Sequence, residues 1–156
     1  MTGKSVMVVS GYFSPLHAGH LDMLEDARSR ADHLVVIVNN NRQQVLKKGR
    51  VILDEQDRLR IVQALRIVDD ALISVDDDPS VTRTLVEVAE RYRGHEIAFG
   101  NGGDRQSEAA IPETEVCLEH GIELVFGVGG SEKVDSSTRI NTELGLEGGE
   151  PRAQRG

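Results

Sequence analysis

The chain has 156 residues, a length that fits one domain with a sizeable core. Only five residues are aromatic, so the core should be aliphatic, and the formal charge of −8 argues against a general binder of nucleic acid or anionic membrane, because such surfaces are normally basic. The single cysteine, Cys117, excludes an internal disulfide and a multi-cysteine metal site, and we expect it to be a small buried residue.

Short β-branched runs alternate with segments of helical period along the whole chain. Strands are predicted over 6–10, 34–39, 71–75, 96–99 and 122–127. Helices are predicted over 19–30, 54–67, 79–92 and 111–120, and polar loops over 40–51 and 101–110. Helices between strands are typical of right-handed βαβ crossovers. We therefore predict one doubly wound α/β domain over 1–145, with a five-stranded parallel sheet, and a disordered tail over 146–156.

The chain shows no signal-peptide pattern at its start, and no apolar stretch approaches the roughly 20 residues that span a bilayer. We expect a cytoplasmic protein with neither a membrane nor a nucleic acid as partner. In a doubly wound sheet, ligands bind at the carboxyl ends of the strands, where the loops should converge.

The loop after the first strand carries two histidines and two glycines. Residues 11–20 read G-x-F-x-P-x-H-x-G-H and lie where a buried strand turns into a helix. A helix start offers main-chain N–H groups, glycine lets an anion approach the backbone, and imidazoles can donate to phosphate oxygens. One isolated histidine there would more often be a cap, but His17 and His20 bracket Gly19. This pattern predicts a site for phosphoryl or nucleotidyl transfer.

The end of the predicted loop after the second strand, residues 47–50, gathers three cations, Lys47, Lys48 and Arg50, in a net-acidic chain. A basic loop is usually a solvated surface. Beside a phosphate site, however, it would supply countercharge for a triphosphate and an anionic acceptor. Arg58, early in the next helix, could reach the same place or form an i,i+4 pair with Asp54 on the solvent side.

A polar, glycine-containing segment follows the fourth predicted strand, with Gly102 and Gly103 before Asp104 and Arg105. Such dipeptides are common in ordinary turns. The trailing Asp-Arg pair on a rigid scaffold favours a loop that contacts a nucleotide. A lone Asp makes no convincing metal site, so Mg²⁺ is expected to bind mainly through substrate phosphates.

Three consecutive hydroxyl residues, Ser136, Ser137 and Thr138, precede a short apolar segment near the end of the chain. They could be a plain helix N-cap. With Arg139 beside them, they also form a helix start suited to phosphate oxygens, and both interpretations can hold together.

In this order, the motifs resemble the cytidylyltransferase-like nucleotidyltransferase superfamily, and most closely its glycerol-3-phosphate cytidylyltransferase type, over about residues 5–142. The resemblance implies a Rossmann-like domain that transfers CMP from CTP to a small phosphate or phosphonate acceptor, releases pyrophosphate and forms a homodimer. The H-x-G-H motif does not determine which nucleobase the nucleoside triphosphate carries. An adenylyltransferase of the pantetheine-phosphate, nicotinamide-mononucleotide or heptose-phosphate type is therefore an alternative, as is a non-catalytic nucleotide-binding module.

The resemblance also implies residue roles. His17 and His20 would stabilise the transferred phosphoryl group, and Lys47 and Lys48 would reach the phosphates. The residues implied to bind the nucleotide are Gly11, Tyr12, Phe13, Gly19, Arg58, Gly102, Gly103, Asp104, Arg105, Ser136, Ser137, Thr138 and Arg139. The polar character of 100–105 favours CTP over ATP, because a cytosine site must rely on hydrogen bonds more than on stacking.

Overall fold

The computed structural model describes residues 4–102 and 112–128, apart from the side chains of 101, 102 and 126–128. Strands and helices alternate along this part of the chain. They are β1 Ser5–Gly11, α1 Ala18–Ser29, β2 His33–Val38, α2 Asn41–Lys48, α3 Glu55–Gln63, β3 Asp70–Ile73, α4 Thr82–Arg91, β4 Glu96–Gly102, α5 Thr114–Glu119 and β5 Glu123–Val128. The predicted limit at residue 145 and the predicted tail 146–156 lie outside the described residues. No helix in the described ranges is long and apolar enough to cross a membrane.

The five strands form one parallel sheet in the order β3-β2-β1-β4-β5. The chain moves outward from β1 through β2 to β3 and then returns to place β4 on the other side of β1. The connections that leave β1 and β4 therefore run to opposite faces of the sheet, and sheets of this kind bind their ligands between two such connections, at the carboxyl ends of the strands. The predicted doubly wound, five-stranded parallel fold is confirmed.

The core consists of two aliphatic clusters, one on each face of the sheet. Alternate residues of a strand point to opposite faces, so β1 contributes to both clusters. On the face covered by α4 and α5, the buried residues include Val6, Val8, Leu85, Val88 and Cys117. On the face covered by α1 and α3, they include Met7, Val9, Leu24, Ala27 and Val62. Burial of each large aliphatic side chain contributes about 1.5–3 kcal/mol, so these layers hold the helices against the sheet.

The prediction of a loop over 40–51 is wrong for most of its length, because α2 occupies it. Asn40 caps this helix: its Oδ1 accepts from the main-chain N of Gln43 at 2.8 Å, and the Gln43 Oε1 accepts from the main-chain N of Asn40 at 3.0 Å. Gly49 ends it with a φ of 80°, a left-handed conformation that glycine adopts without steric cost. The reciprocal cap overrides a composition that is poor in apolar residues.

Other boundaries differ by a few residues. α3 ends at Gln63 rather than at 67, and the next residues form turns in which the main-chain N of Leu65 and of Val68 donate to Val62 and Leu65. The first residues of the predicted helix 111–120 are not helical, since α5 begins at Thr114.

Candidate active site

The two histidines of the β1–α1 loop form a reciprocal cap at the start of α1. His17 is the N-cap, and its Nδ1 accepts a hydrogen bond from the main-chain N of Gly19 at 3.0 Å. The His20 Nδ1 in turn accepts from the main-chain N of His17 at 3.3 Å. The two rings stack with centroids 3.9 Å apart and an interplanar angle of 28°. Because each Nδ1 accepts a hydrogen bond, the ring proton of each neutral imidazole lies on Nε2.

This cap changes how the helix start can bind an anion. The main-chain N of Gly19 donates to the His17 ring, and those of His20 and Leu21 donate to the main-chain oxygen of His17. The expectation that the first turn offers its N–H groups to a phosphate is therefore wrong for these three groups, because the cap uses them. Phosphate binding at this loop would therefore depend on the imidazole Nε2–H groups.

Phe13 packs against the ring of His20. It is buried, its φ of 52° is in the left-handed region, and its ring centroid is 4.8 Å from that of His20. A non-glycine residue in this conformation costs roughly 1–2 kcal/mol, so the surrounding contacts must hold it there. A Cβ at Gly11 would lie 2.9 Å from the Phe13 Cζ, so a larger residue at position 11 would have to displace the Phe13 ring.

Arg58 of α3 is fully buried and fixes the main chain of the same loop. Its Nη1 donates to the main-chain oxygens of Tyr12 at 2.9 Å and Asn39 at 2.5 Å, its Nε to that of Leu53 at 2.8 Å, and its Nη2 to the Asn41 Oδ1 at 3.0 Å. The alternative of a solvent-side pair with Asp54 is wrong, because the guanidinium points into the protein. Burial lowers the pKa of Arg58, although the negative charges of Glu55 and Asp54 act to raise it.

The end of α2 brings a cation to the histidine loop. The Lys47 Nζ lies 4.7 Å from the centre of the Tyr12 ring, a distance at which the ring face attracts a cation. Burial raises the pKa of Tyr12, although the Arg58 charge works against the shift. Lys48 is on the next position of the helix and is buried, whereas Lys47 is exposed. The structure thus places Tyr12, Lys47, His17 and His20 along one loop and one helix end.

Polar residues that the sequence analysis did not single out hold α2 in place. The Gln43 amide bonds Asn39 on one side and the main-chain oxygens of Asp78 and Ser80 on the other. Asn41 bonds both the main chain and the side chain of Glu55 at the start of α3. A capping box, Asn followed three residues later by Gln, was the signal that could have identified this anchor.

The remaining expected site residues are only partly described. Gly102 is the last residue of β4, the strand beside β1. Residues 4–102 and 112–128 contain no group of three or more His, Cys, Asp or Glu that could hold a metal ion. The expected site residues that lie outside the described part of the chain are Gly103, Asp104, Arg105, Ser136, Ser137, Thr138 and Arg139.

Residues 8–140 match the cytidylyltransferase-like family model. The chain is 39% identical over 116 residues to the bifunctional protein HldE of Methylobacillus flagellatus, a match that covers 73% of this chain and 22% of that protein. It is also 39% identical over 94 residues to the FAD synthase of Ferroglobus placidus, a match that covers 60% of this chain and 57% of that protein.

Among solved structures, the lipopolysaccharide core biosynthesis protein from Thermoplasma volcanium is similar, with a TM-score of 0.65 and 25% sequence identity over 85% of this chain and 100% of that one. This chain spans only about a fifth of the HldE protein's length. The family match, in contrast, covers most of the chain and includes the loop that carries both histidines. The chain belongs to the cytidylyltransferase-like nucleotidyltransferase superfamily.

Proposed function

We propose that this chain transfers a nucleotidyl group from a nucleoside triphosphate to a small phosphorylated or phosphonylated acceptor and releases pyrophosphate. The observation that carries the proposal is the stacked pair His17 and His20, whose Nδ1 atoms both accept hydrogen bonds from main-chain N–H groups. This arrangement fixes the tautomer of both rings and puts two Nε2–H donors on one loop, which suits the stabilisation of a phosphoryl transition state.

In the proposed reaction, an oxygen of the acceptor phosphate attacks the α-phosphorus in line. A new P–O bond forms, the bond from the α-phosphorus to the bridging oxygen breaks, and pyrophosphate leaves with that oxygen. The acceptor oxygen is already ionised at neutral pH, so no general base is needed. The Nε2–H groups of His17 and His20 stabilise the developing negative charge, and one such donor typically contributes about 2.7–4 kcal/mol. Lys47, held over Tyr12, adds positive charge at the same loop.

For the donor nucleotide, the relatives favour ATP, because an FAD synthase is 39% identical over 60% of this chain. Transfer of CMP from CTP is the second candidate, which the polar segment 100–105 predicts.

Mg²⁺ bound mainly through the substrate phosphates is part of the proposal, since such ions need only one or two protein oxygens. We also propose a homodimer, on the family resemblance alone, and light scattering of the purified chain tests it.

The test is a pyrophosphate-release assay with each of the four nucleoside triphosphates and a panel of small phosphates and phosphonates. We expect release that requires both substrates, with one nucleotide preferred by at least about tenfold in kcat/KM. Nucleotide binding without release in any combination would contradict the proposal and favour a non-catalytic module. His120→Ala is the matched control, because this exposed histidine precedes β5 at the opposite end of the sheet and should leave the rate unchanged.

A further inference from the structure

The backbone of Tyr12 is held in place in the loop after β1. Its main-chain oxygen accepts from the Arg58 Nη1 at 2.9 Å. The main-chain oxygen of the preceding residue, Gly11, accepts from the main-chain N of Asn39 at 2.9 Å, and the following residue, Phe13, is buried. The half-buried side chain of Tyr12 therefore starts from a position that does not depend on a ligand.

Tyr12 contacts α2 through its ring more than through its hydroxyl. The Lys47 Nζ lies 4.7 Å from the ring centre, within the roughly 6 Å over which an aromatic face attracts a cation. The hydroxyl is 3.5 Å from the main-chain oxygen of Gln43, which is longer than the roughly 2.5–3.0 Å of an ordinary O–H···O hydrogen bond. Burial raises the pKa of Tyr12, so the phenol stays neutral at physiological pH and the attraction is that of a neutral ring for a cation.

This contact keeps the Lys47 ammonium at the loop. Lys47 is exposed, and a long flexible stem separates its charge from the helix. The last carbonyls of α2 carry partial negative charge and would draw the ammonium toward the end of its own helix. The Tyr12 ring competes with these carbonyls and with solvent, and it favours the position beside the loop that carries His17 and His20.

We propose that Tyr12 is a positioning residue that acts through Lys47: its ring holds the ammonium ready for phosphate oxygens of the nucleoside triphosphate. This inference rests on the proposed function, because it takes a triphosphate as the ligand of the loop. An ammonium has three N–H groups, so one that faces the ring leaves others for phosphate oxygens. Tyr12 thus promotes substrate binding without a hydrogen bond of its own to the substrate.

Such a contact acts by preorganisation. Ordering a long side chain on binding costs rotamer entropy, and a side chain that is already held at the site costs less. Cation–π contacts at exposed positions are weak, so removal of the Tyr12 ring should raise KM for the nucleoside triphosphate by only about two- to fivefold. Because Tyr12 acts on binding, kcat should change by less than about twofold.

Steady-state kinetics of single and double variants test this role. Tyr12→Leu removes the ring and should raise KM, whereas Tyr12→Phe keeps the ring and should recover most of that loss. Lys47→Ala alone should raise KM about tenfold, and the addition of Tyr12→Leu should raise it no further, because the ring then has no cation to hold. Arg42→Ala is the matched control, since this exposed cation of α2 pairs with Asp77, and its effect and that of Tyr12→Leu should multiply.

A spectroscopic measurement tests the contact without a substrate. The sequence has four lysines, so protein labelled with carbon-13 at the lysine ε carbon gives few NMR signals, and Lys47→Arg identifies the signal of Lys47. Protons above the face of an aromatic ring are shielded. We therefore expect the Lys47 signal to lie further upfield in the wild type and in Tyr12→Phe than in Tyr12→Leu.

Three results overturn the inference: a Lys47 signal that is the same in the wild type and in Tyr12→Leu, effects of Tyr12→Leu and Lys47→Ala on KM that multiply, or a Tyr12→Phe variant as impaired as Tyr12→Leu. If no acceptor supports pyrophosphate release, the proposed function fails, and the Kd for inorganic triphosphate, measured by calorimetry, replaces KM in the same comparisons. The lysine signals depend on neither substrate nor turnover, so the two failures are distinguishable.

Discussion

The guanidinium of Arg58 donates to the main-chain oxygen of Tyr12 at 2.9 Å and so fixes the histidine loop to a helix that is 46 residues away in sequence. The same nitrogen donates to the main-chain oxygen of Asn39, the residue that follows β2. The ends of the two neighbouring strands are thus held together by one side chain. The planar guanidinium of Arg58 donates four hydrogen bonds in fixed directions. This geometry explains why the position needs an arginine.

Arg58→Lys should therefore lower both stability and activity. A lysine presents one ammonium and cannot reach four acceptors in a planar fork, so buried main-chain oxygens lose their partners. We expect a loss of about 2–4 kcal/mol in the free energy of unfolding, measured in urea, since each unpaired buried group costs about 1–3 kcal/mol. Arg60→Lys, at an exposed position of the same helix, should change little. Equal stability of the two variants would remove Arg58 from this role.

His17→Ala and His20→Ala should each lower kcat by about 10²–10³, the usual effect of removing one donor to a transition-state oxyanion. His17→Ala should also lower stability by about 1 kcal/mol, because it removes the N-cap of α1. Steady-state kinetics and urea unfolding separate the two effects. Near-wild-type turnover together with reduced stability would show that the histidines are caps alone.

Lys47→Ala should raise KM for the nucleotide or the acceptor by about tenfold, since a hydrogen bond to a charged group contributes about 1.5–3 kcal/mol. The salt dependence of KM should weaken as well, because the contact that salt screens is gone. Titration of KM against ionic strength measures both. Arg42→Ala is the control, because this exposed cation of the same helix pairs with Asp77 instead. The same KM change in both variants would indicate a general charge effect.

Much of the fold could be predicted because strands such as 34–38 are continuous apolar runs rich in β-branched residues, and burial of such a strand on both faces is typical of a parallel sheet. α2 was missed because its signal is a polar cap, Asn40 with Gln43, in a segment with few apolar residues. The tautomers of His17 and His20 and the contacts of Arg58 depend on where main-chain atoms from distant segments meet, which no local pattern encodes. The residues of 103–111 and 129–139 expected at the site remain sequence predictions.

Cys117 should be unreactive in the native state. Burial, and next the charge of Glu113, raise the pKa of its thiol to about 11, so roughly one molecule in a thousand carries the reactive thiolate at pH 8. Because the pKa is raised in the folded state, its contribution to stability is present below about pH 9 and is lost as the pH rises toward about 11. Modification by iodoacetamide at pH 8 should require unfolding. Rapid modification of the folded protein would contradict the burial.

The attack on the α-phosphorus is tested most directly by the fate of a radioactive label. The wild-type protein is incubated with a phosphorylated acceptor and nucleoside triphosphate labelled at either the α- or the γ-phosphate, beside the variant with both histidines replaced by alanine. We predict the α label in the acceptor product and the γ label in pyrophosphate, with the labelling of the product and the release of pyrophosphate both at least about a hundredfold slower in the variant. Transfer of the γ label to the acceptor, or equal rates in the two proteins, would contradict this prediction.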